Sequence, residues 1–234
     1  LLLIGLPLLT AVAVLLSRNK QQVKWIALFG SVAQLALAFV LFFIYKHERE
    51  TGNATQMLFE QNYPLFKSLN INFHLGVDGI SIAMILLTAF VVVAGVLVSW
   101  NIEKMTKEFY FLLLLLGMGA YGFFISLDLF ILFFFLEISV IPKYLLIGIW
   151  GSGRKEYSAN KLALMLMGGS ALILVGILGL YFAAGRSFDI MELSKATVSL
   201  PYQQILFPLL FVGFGVFTAL FPLHTWVPDG HSSA

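Results

Sequence analysis

The sequence predicts an all-α protein, a polytopic bundle of about seven transmembrane helices, from three observations. Hydrophobic residues make up 60% of the 234 and charged residues 11%, whereas soluble domains carry about a quarter charged residues. The apolar residues fall into runs close to the ~20 that cross a bilayer. The few charges cluster in the connections between runs, as in proteins that cross a membrane repeatedly. A chain of this length has no core large enough to bury so much apolar surface, so lipid is the expected solvent. Helix is expected over strand because the runs are long and do not alternate, and in lipid the backbone must satisfy itself.

In chain order the runs cover residues 1–16, 23–45, 78–100, 109–126, 127–150, 159–184 and 202–221. The fourth and fifth are nearly continuous over 109–150, too long for one span, so a tight turn is expected at Ser126, Leu127 and Asp128. Residues 1–77 read as two helices and a long outer loop, and residues 78–234 as helices three to seven. The loop 46–77 is too long for a simple turn and has room for short strands or an interfacial helix. Connections one, three and five hold Arg18, Lys20, Lys24, Lys104, Lys107, Arg154 and Lys155. That bias places them on the cytoplasmic or matrix side. Asp78, in Gly76-Val77-Asp78-Gly79, has the composition of a helix N-terminus. Asp128 lies at the outer end of its run and also reads as structural.

Other classes are excluded or disfavoured. A net charge of +2 is too small to imply a nucleic-acid partner. With no cysteine, disulfides and thiolate metal sites are absent, and histidines seven apart make no zinc motif. The chain starts without Met inside an apolar run and stops after a polar segment, so it is expected to be part of a longer protein. The first run lacks the basic leader and cleavage site of a removable signal.

Ionisable residues at bilayer depth cost about 2.5–3.5 kcal/mol on insertion scales and need a reason to be there. Glu137 is the clearest case. It lies roughly ten residues into the fifth run, ~15 Å deep at 1.5 Å per residue. A carboxyl there must be protonated, paired or hydrated. Each state suits a proton carrier, and a neutral acid bonded to a neighbouring helix is the plainer reading. Lys143 follows Pro142, which removes a backbone hydrogen bond and is expected to kink the helix. Lys143 reads equally as functional or as snorkelling toward water. Lys161, early in the sixth run, reads alone as a snorkelling lysine. The segment Pro222-Leu223-His224-Thr225-Trp226-Val227-Pro228-Asp229-Gly230-His231 cannot continue a lipid-facing helix. Broken helices of this kind mark ion pathways in transporters, and histidine is the side chain that titrates near neutral pH. An ordinary loop is the alternative.

That segment resembles the P-[LF]-H-T-W-L-P-D-A-H motif of antiporter-like proton-pumping subunits of respiratory complex I and the Mrp antiporter superfamily. Residues 136–151 resemble the fifth-helix E-x-x-x-x-P-x-Y-x-L-I-G-x-W-G segment of the same family. Residues 76–81 match its third-helix start. The pattern is nearest to the chain-M type, the counterpart of mitochondrial chain 4. The resemblance implies a 14-helix fold of two inverted five-helix repeats with helices seven and twelve broken. This chain would supply the N-terminal half, through most of the first repeat. It also implies Glu137 as the central proton carrier and Lys161 as the lysine that tunes or passes protons. His224 and His231 would relay protons or shape the break, which is formed by Pro222, Thr225, Trp226, Pro228 and Asp229. Redox chemistry would lie in other membrane-complex subunits holding NADH, FMN, iron–sulfur clusters and quinone, with none in this chain. An oxidoreductase subunit moving protons in a bacterial inner or organelle membrane is the implied function. An Mrp-type sodium/proton antiporter subunit and a non-pumping structural subunit are the alternatives.

One departure stands out. The family places a lysine on helix seven, five residues before the first proline of the motif. Phe217 is there instead, and Ala219 replaces a usual proline. Lys143 stands where the family has an uncharged residue, which raises the possibility that it replaces the lost lysine as partner of Glu137.

Overall fold

The computed structural model describes residues 1–234, and the chain forms two compact units. The first comprises residues 1–60 and 75–125, the second 61–74 and 126–234. Six helices are long and apolar enough to cross a membrane, and a shorter apolar helix opens the chain. The expected polytopic helical bundle is borne out, with six helices of spanning length where about seven were expected and the first, Leu2–Leu16, shorter.

The first unit contains α1 (Leu2–Leu16), α2 (Lys20–Glu50), α3 (Gly79–Val98) and α4 (Thr106–Ile125). Helix α1 packs on α2 and α4, and α3 packs on α2 and α4. Pro7 lies inside α1 and has no N–H for the carbonyl of Leu3. The buried Gln34 amide of α2 donates to that carbonyl at 3.0 Å, so a side chain on the next helix supplies the missing donor. Helix α2 extends past the predicted end at residue 45, because its last turn is charged and stabilised in water by the Lys46–Glu50 pair and by Arg49. The Arg49 guanidinium ties down the carbonyls of Asn53, Thr55 and Gln56. The loop that follows holds two paired strands, β1 (Leu58–Phe66) and β2 (Ile71–Val77). Asp78 caps α3, its carboxylate accepting from Ser81 N–H at 2.7 Å.

The second unit contains α5 (Leu129–Trp150), α6 (Lys155–Ala183), the short α7 (Ile190–Leu193), α8 (Leu200–Phe217) and α9 (Trp226–Ser233). The seventh apolar run is therefore α8. The predicted turn at 126–128 is present. Leu127 N–H donates to the His74 carbonyl, Leu129 N–H to that of Phe188, and Ile190 N–H to that of Leu127. Asp128 caps α5 through Phe130 and Ile131 N–H and also accepts from Asn72 N–H.

Helix α6 is the hub, packing on α5, α8 and α9. Its contact with α8 is close because small residues face each other. A β-carbon on Gly213 would lie 2.6 Å from Ile173 and 3.0 Å from the Gly169 carbonyl. In lipid, where no hydrophobic force draws helices together, such close approach is what holds them. Gly213→Leu is expected to separate α6 from α8 and to destabilise by at least the 1–3 kcal/mol typical of overpacking. A fall in the thermal midpoint of the purified protein in detergent would register it, and an unchanged midpoint would refute the seam.

Candidate functional site

The site lies on α5 and α6. Glu137 is half-buried, nine residues past the Asp128 cap and so about 13 Å along α5. Its carboxylate accepts a short hydrogen bond from the Ser170 hydroxyl of α6. It also lines a cavity of about 760 Å³ bounded by Phe134, Ile141, Tyr144, Asn160 and Met167. Tyr144 and Asn160 are the other groups on this wall with polar side-chain tips. Pro142 withdraws the donor that the Ile138 carbonyl would otherwise have, and Ile138 lines the same cavity.

Lys143 does not pair with Glu137. Six residues turn an α-helix by about 600°, which leaves the two side chains on different faces, and α5 continues unbroken from Leu129 to Trp150. Lys143 is half-buried.

Lys161 lies nine residues before Ser170, about 13 Å away along α6. It donates to Asp229 of α9 at 2.7 Å. Ser158 and Ser233 share a hydrogen bond at 2.8 Å, and Ser152 N–H donates to the Ser233 carbonyl at 2.7 Å. Helix α9 is thus tied to the start of α6 and to the α5–α6 turn. Lys155 reaches back to the Ile149 carbonyl at 2.9 Å and satisfies the C-terminal end of α5.

The break between α8 and α9 begins at Thr218, four residues before the proline. Ala219 adopts the left-handed conformation, with φ of 55°. Leu220 N–H donates to the Gly215 carbonyl and Ala219 N–H to that of Val216. These two bonds form a Schellman closure, which ends a helix at a left-handed residue. Sequence reasoning ran this helix on to residue 221 because alanine gives no sign of such a stop. A left-handed residue with a β-carbon costs roughly 1–2 kcal/mol. Ala219→Gly is therefore expected to stabilise the chain by about 1 kcal/mol, read as a raised thermal midpoint in detergent.

The remaining motif residues frame this break. Pro222 follows a cis peptide bond. Thr225 precedes α9, and its side chain makes no capping bond. Trp226 is buried and its indole N–H donates to the Val216 carbonyl at 2.9 Å, which pins α9 to α8. Pro228 occupies the third position of α9, where no helical acceptor is needed for its absent N–H. His224 is half-buried, stacked on Phe221 with ring centroids 5.5 Å apart. His231 is exposed on α9. Neither histidine hydrogen-bonds to Glu137. Phe217, at the position of the family lysine, packs against an apolar cluster that includes Val140, Leu162, Leu166 and Trp226. Val140 is one turn from Glu137, so an apolar wall stands at the position where the family resemblance implies a lysine. Sequence reasoning missed Ser170, Tyr144 and Asn160. The one signal for Ser170 was a hydroxyl in the middle of an apolar run, in Gly168-Gly169-Ser170-Ala171.

The polytopic α-helical fold, the mid-helix Glu137 and the broken helix packed on the same helix pair are what the resemblance to antiporter-like membrane subunits implies. Residues 126–234 match the model of the NADH:quinone oxidoreductase/Mrp antiporter transmembrane family. It is 34% identical, over 99% of its length, to NAD(P)H-quinone oxidoreductase chain 4-3 of Nostoc sp., of which it covers 41%. Its fold matches a chain of respiratory complex I from Thermus thermophilus with bound NADH. There the TM-score is 0.86 and the identity 24%, over 99% of this chain and 46% of that one. It also matches a chain of the archaeal membrane-bound sulfane sulfur reductase, with a TM-score of 0.82 and 26% identity over 100% of this chain and 47% of the other. The chain thus spans a little under half the length of these relatives.

Proposed function

We propose that the chain is the N-terminal part of a proton-translocating membrane subunit of an NAD(P)H-quinone oxidoreductase-type complex. Residues 1–77 would lead into a first antiporter-like repeat that begins at residue 78. The observation that carries this reading is Glu137, a carboxyl deep in an apolar helix, hydrogen-bonded by a hydroxyl and open to a cavity with polar groups. Such a group can take and give up a proton without leaving its place. Lys161, held by Asp229, would act on the cytoplasmic or matrix side as the charge that biases the path. Lys143, His224 and His231 would be secondary, reached through water or through movement of the break. The chain's partners would be other membrane-arm subunits and lipid. NADH, FMN, iron–sulfur clusters and quinone would reside in those partners and supply the driving redox reaction, in a bacterial inner membrane or an energy-transducing organelle membrane.

A second reading is favoured by one observation. Phe217 and its apolar cluster fill the position of the family lysine, as expected of a subunit that holds a membrane arm together without pumping. The two readings separate on proton pumping by sealed vesicles containing the whole complex, with wild type and Glu137→Gln compared at matched assembly and electron flow. Fewer protons per electron in the variant supports the pumping reading, and an equal ratio refutes it.

A further inference from the structure

We infer that Ser170 is a positioning residue for Glu137, a two-way hydrogen-bond switch that reports and stabilises whichever protonation state the carboxyl holds. The inference rests on the proton-carrier reading and adds a partner that the family resemblance does not supply. The Ser170 Oγ lies within hydrogen-bonding reach of two acceptors, the Glu137 carboxylate and, at 2.9 Å, the Leu166 carbonyl one turn back on α6. A hydroxyl has one hydrogen and two lone pairs, so it can donate to only one of them at a time. When Glu137 is ionised, the hydroxyl hydrogen points to the carboxylate. When Glu137 is protonated, its acid O–H donates to Oγ, and the serine hydrogen turns to Leu166. Both states are then fully satisfied with a single rotation about the C–O bond of Ser170.

The surroundings make this hydroxyl matter. Ser170 is buried, so its hydroxyl has no bulk water to turn to when the bond is lost. The nearby cations are committed elsewhere or face away. Lys161 is held by Asp229 at 2.7 Å, and Lys143 lies on another face of α5. Between Leu200 and Phe217, α8 offers no acidic or basic residue, and its one titratable side chain, Tyr202, stands in the first turn. Phe217 and its cluster remain apolar. The Glu137 carboxyl is therefore served by a neutral group that suits both of its charge states, whereas an ammonium would favour only one.

The test uses the assembled complex. The carboxylic-acid C=O stretch of Glu137 is identified in infrared difference spectra by its loss in Glu137→Gln. It is then followed in Ser170→Ala and Ser170→Thr, with pumping measured at matched electron flow. In Ser170→Ala the stretch should move to higher frequency as the acid loses its acceptor. Proton movement through this path should fall by about tenfold or more, the worth of one hydrogen bond to a charged group. Ser170→Thr, which keeps the hydroxyl, should restore both. A merely structural serine would leave the stretch where it is, so an unmoved band in Ser170→Ala overturns the inference even if Glu137→Gln stops pumping. A moved band together with normal pumping in Glu137→Gln instead overturns the proton-carrier reading on which the switch depends.

Discussion

Replacing Glu137 with glutamine is expected to remove proton movement through this half of the subunit while leaving the fold intact. Glutamine keeps the carbonyl oxygen that accepts from Ser170, so the α5–α6 contact at this point survives. It fills nearly the same volume beside Phe134 and Ile141. What it lacks is a proton to exchange. The change is therefore close to a pure chemical deletion, and assembly should be near wild type. Protons moved per electron should drop by the whole share carried by this path. Glu137→Asp makes the contrast sharper. It retains the titrating group but shortens the side chain by one methylene, which draws the carboxyl away from Ser170. Part of that share kept in the aspartate variant, with all of it lost in the glutamine variant, would identify the exchangeable proton as the requirement. Equal and full pumping in both would identify Glu137 as a polar strut and this chain as a structural member of the arm.

The sequence disclosed the parts of the molecule whose causes are local. The apolar runs were legible because lipid imposes a length on a helix. The turn at 126–128 was legible because a nearly continuous apolar stretch of 42 residues cannot form one span, and Asp78 because a carboxylate before an apolar run satisfies free N–H groups. The break motif was legible because two prolines and a glycine stand after an apolar helix. Its onset was not, since Ala219 carries no sign of a left-handed residue and is held there by the bonds of Leu220 and by its own N–H. Partnerships across helices were illegible as well. Lys161 and Asp229 are 68 residues apart, and Ser170 and Glu137 are 33 apart. Which faces meet is decided by the close packing of α6 against its neighbours, where glycines set the approach. The Lys143 partnership was suggested by the joint loss of a lysine at 217 and gain of one at 143, and helical phase, with no break in α5 to change it, separates Lys143 from Glu137.

Removing the Asp128 carboxylate should be among the most destabilising single changes outside the packed seams. The side chain is fully buried, yet it serves three backbone donors. Oδ1 accepts from Phe130 and Ile131 N–H at 2.9 and 3.1 Å, and Oδ2 accepts from Asn72 N–H at 3.0 Å. It thus starts α5 and at the same time fastens the 61–74 segment to that start. Asp128→Ala would leave three donors without a partner, and a buried unsatisfied group costs about 1–3 kcal/mol. A loss of about 3 kcal/mol or more is expected, read as a lowered thermal midpoint. Asp128→Asn should cost less, since its oxygen still caps α5 while its amide opposes Asn72 N–H.

The same pair of variants tests the charge. Burial pushes the Asp128 carboxyl above its ordinary value of 3.8, with nearby Asp189 adding a smaller push, and the three N–H donors only partly offset this. The folded chain therefore holds that proton more tightly than the unfolded chain does. Its contribution to stability is fully present below pH 3.8 and is lost as pH rises through the raised value. Wild type should lose thermal stability over that window as pH increases, and Asp128→Asn, which cannot ionise, should lose less. A wild-type slope matching that of the variant would mean that the carboxyl ionises as readily in the fold as in water. In that case the three N–H donors, rather than burial, would govern its charge.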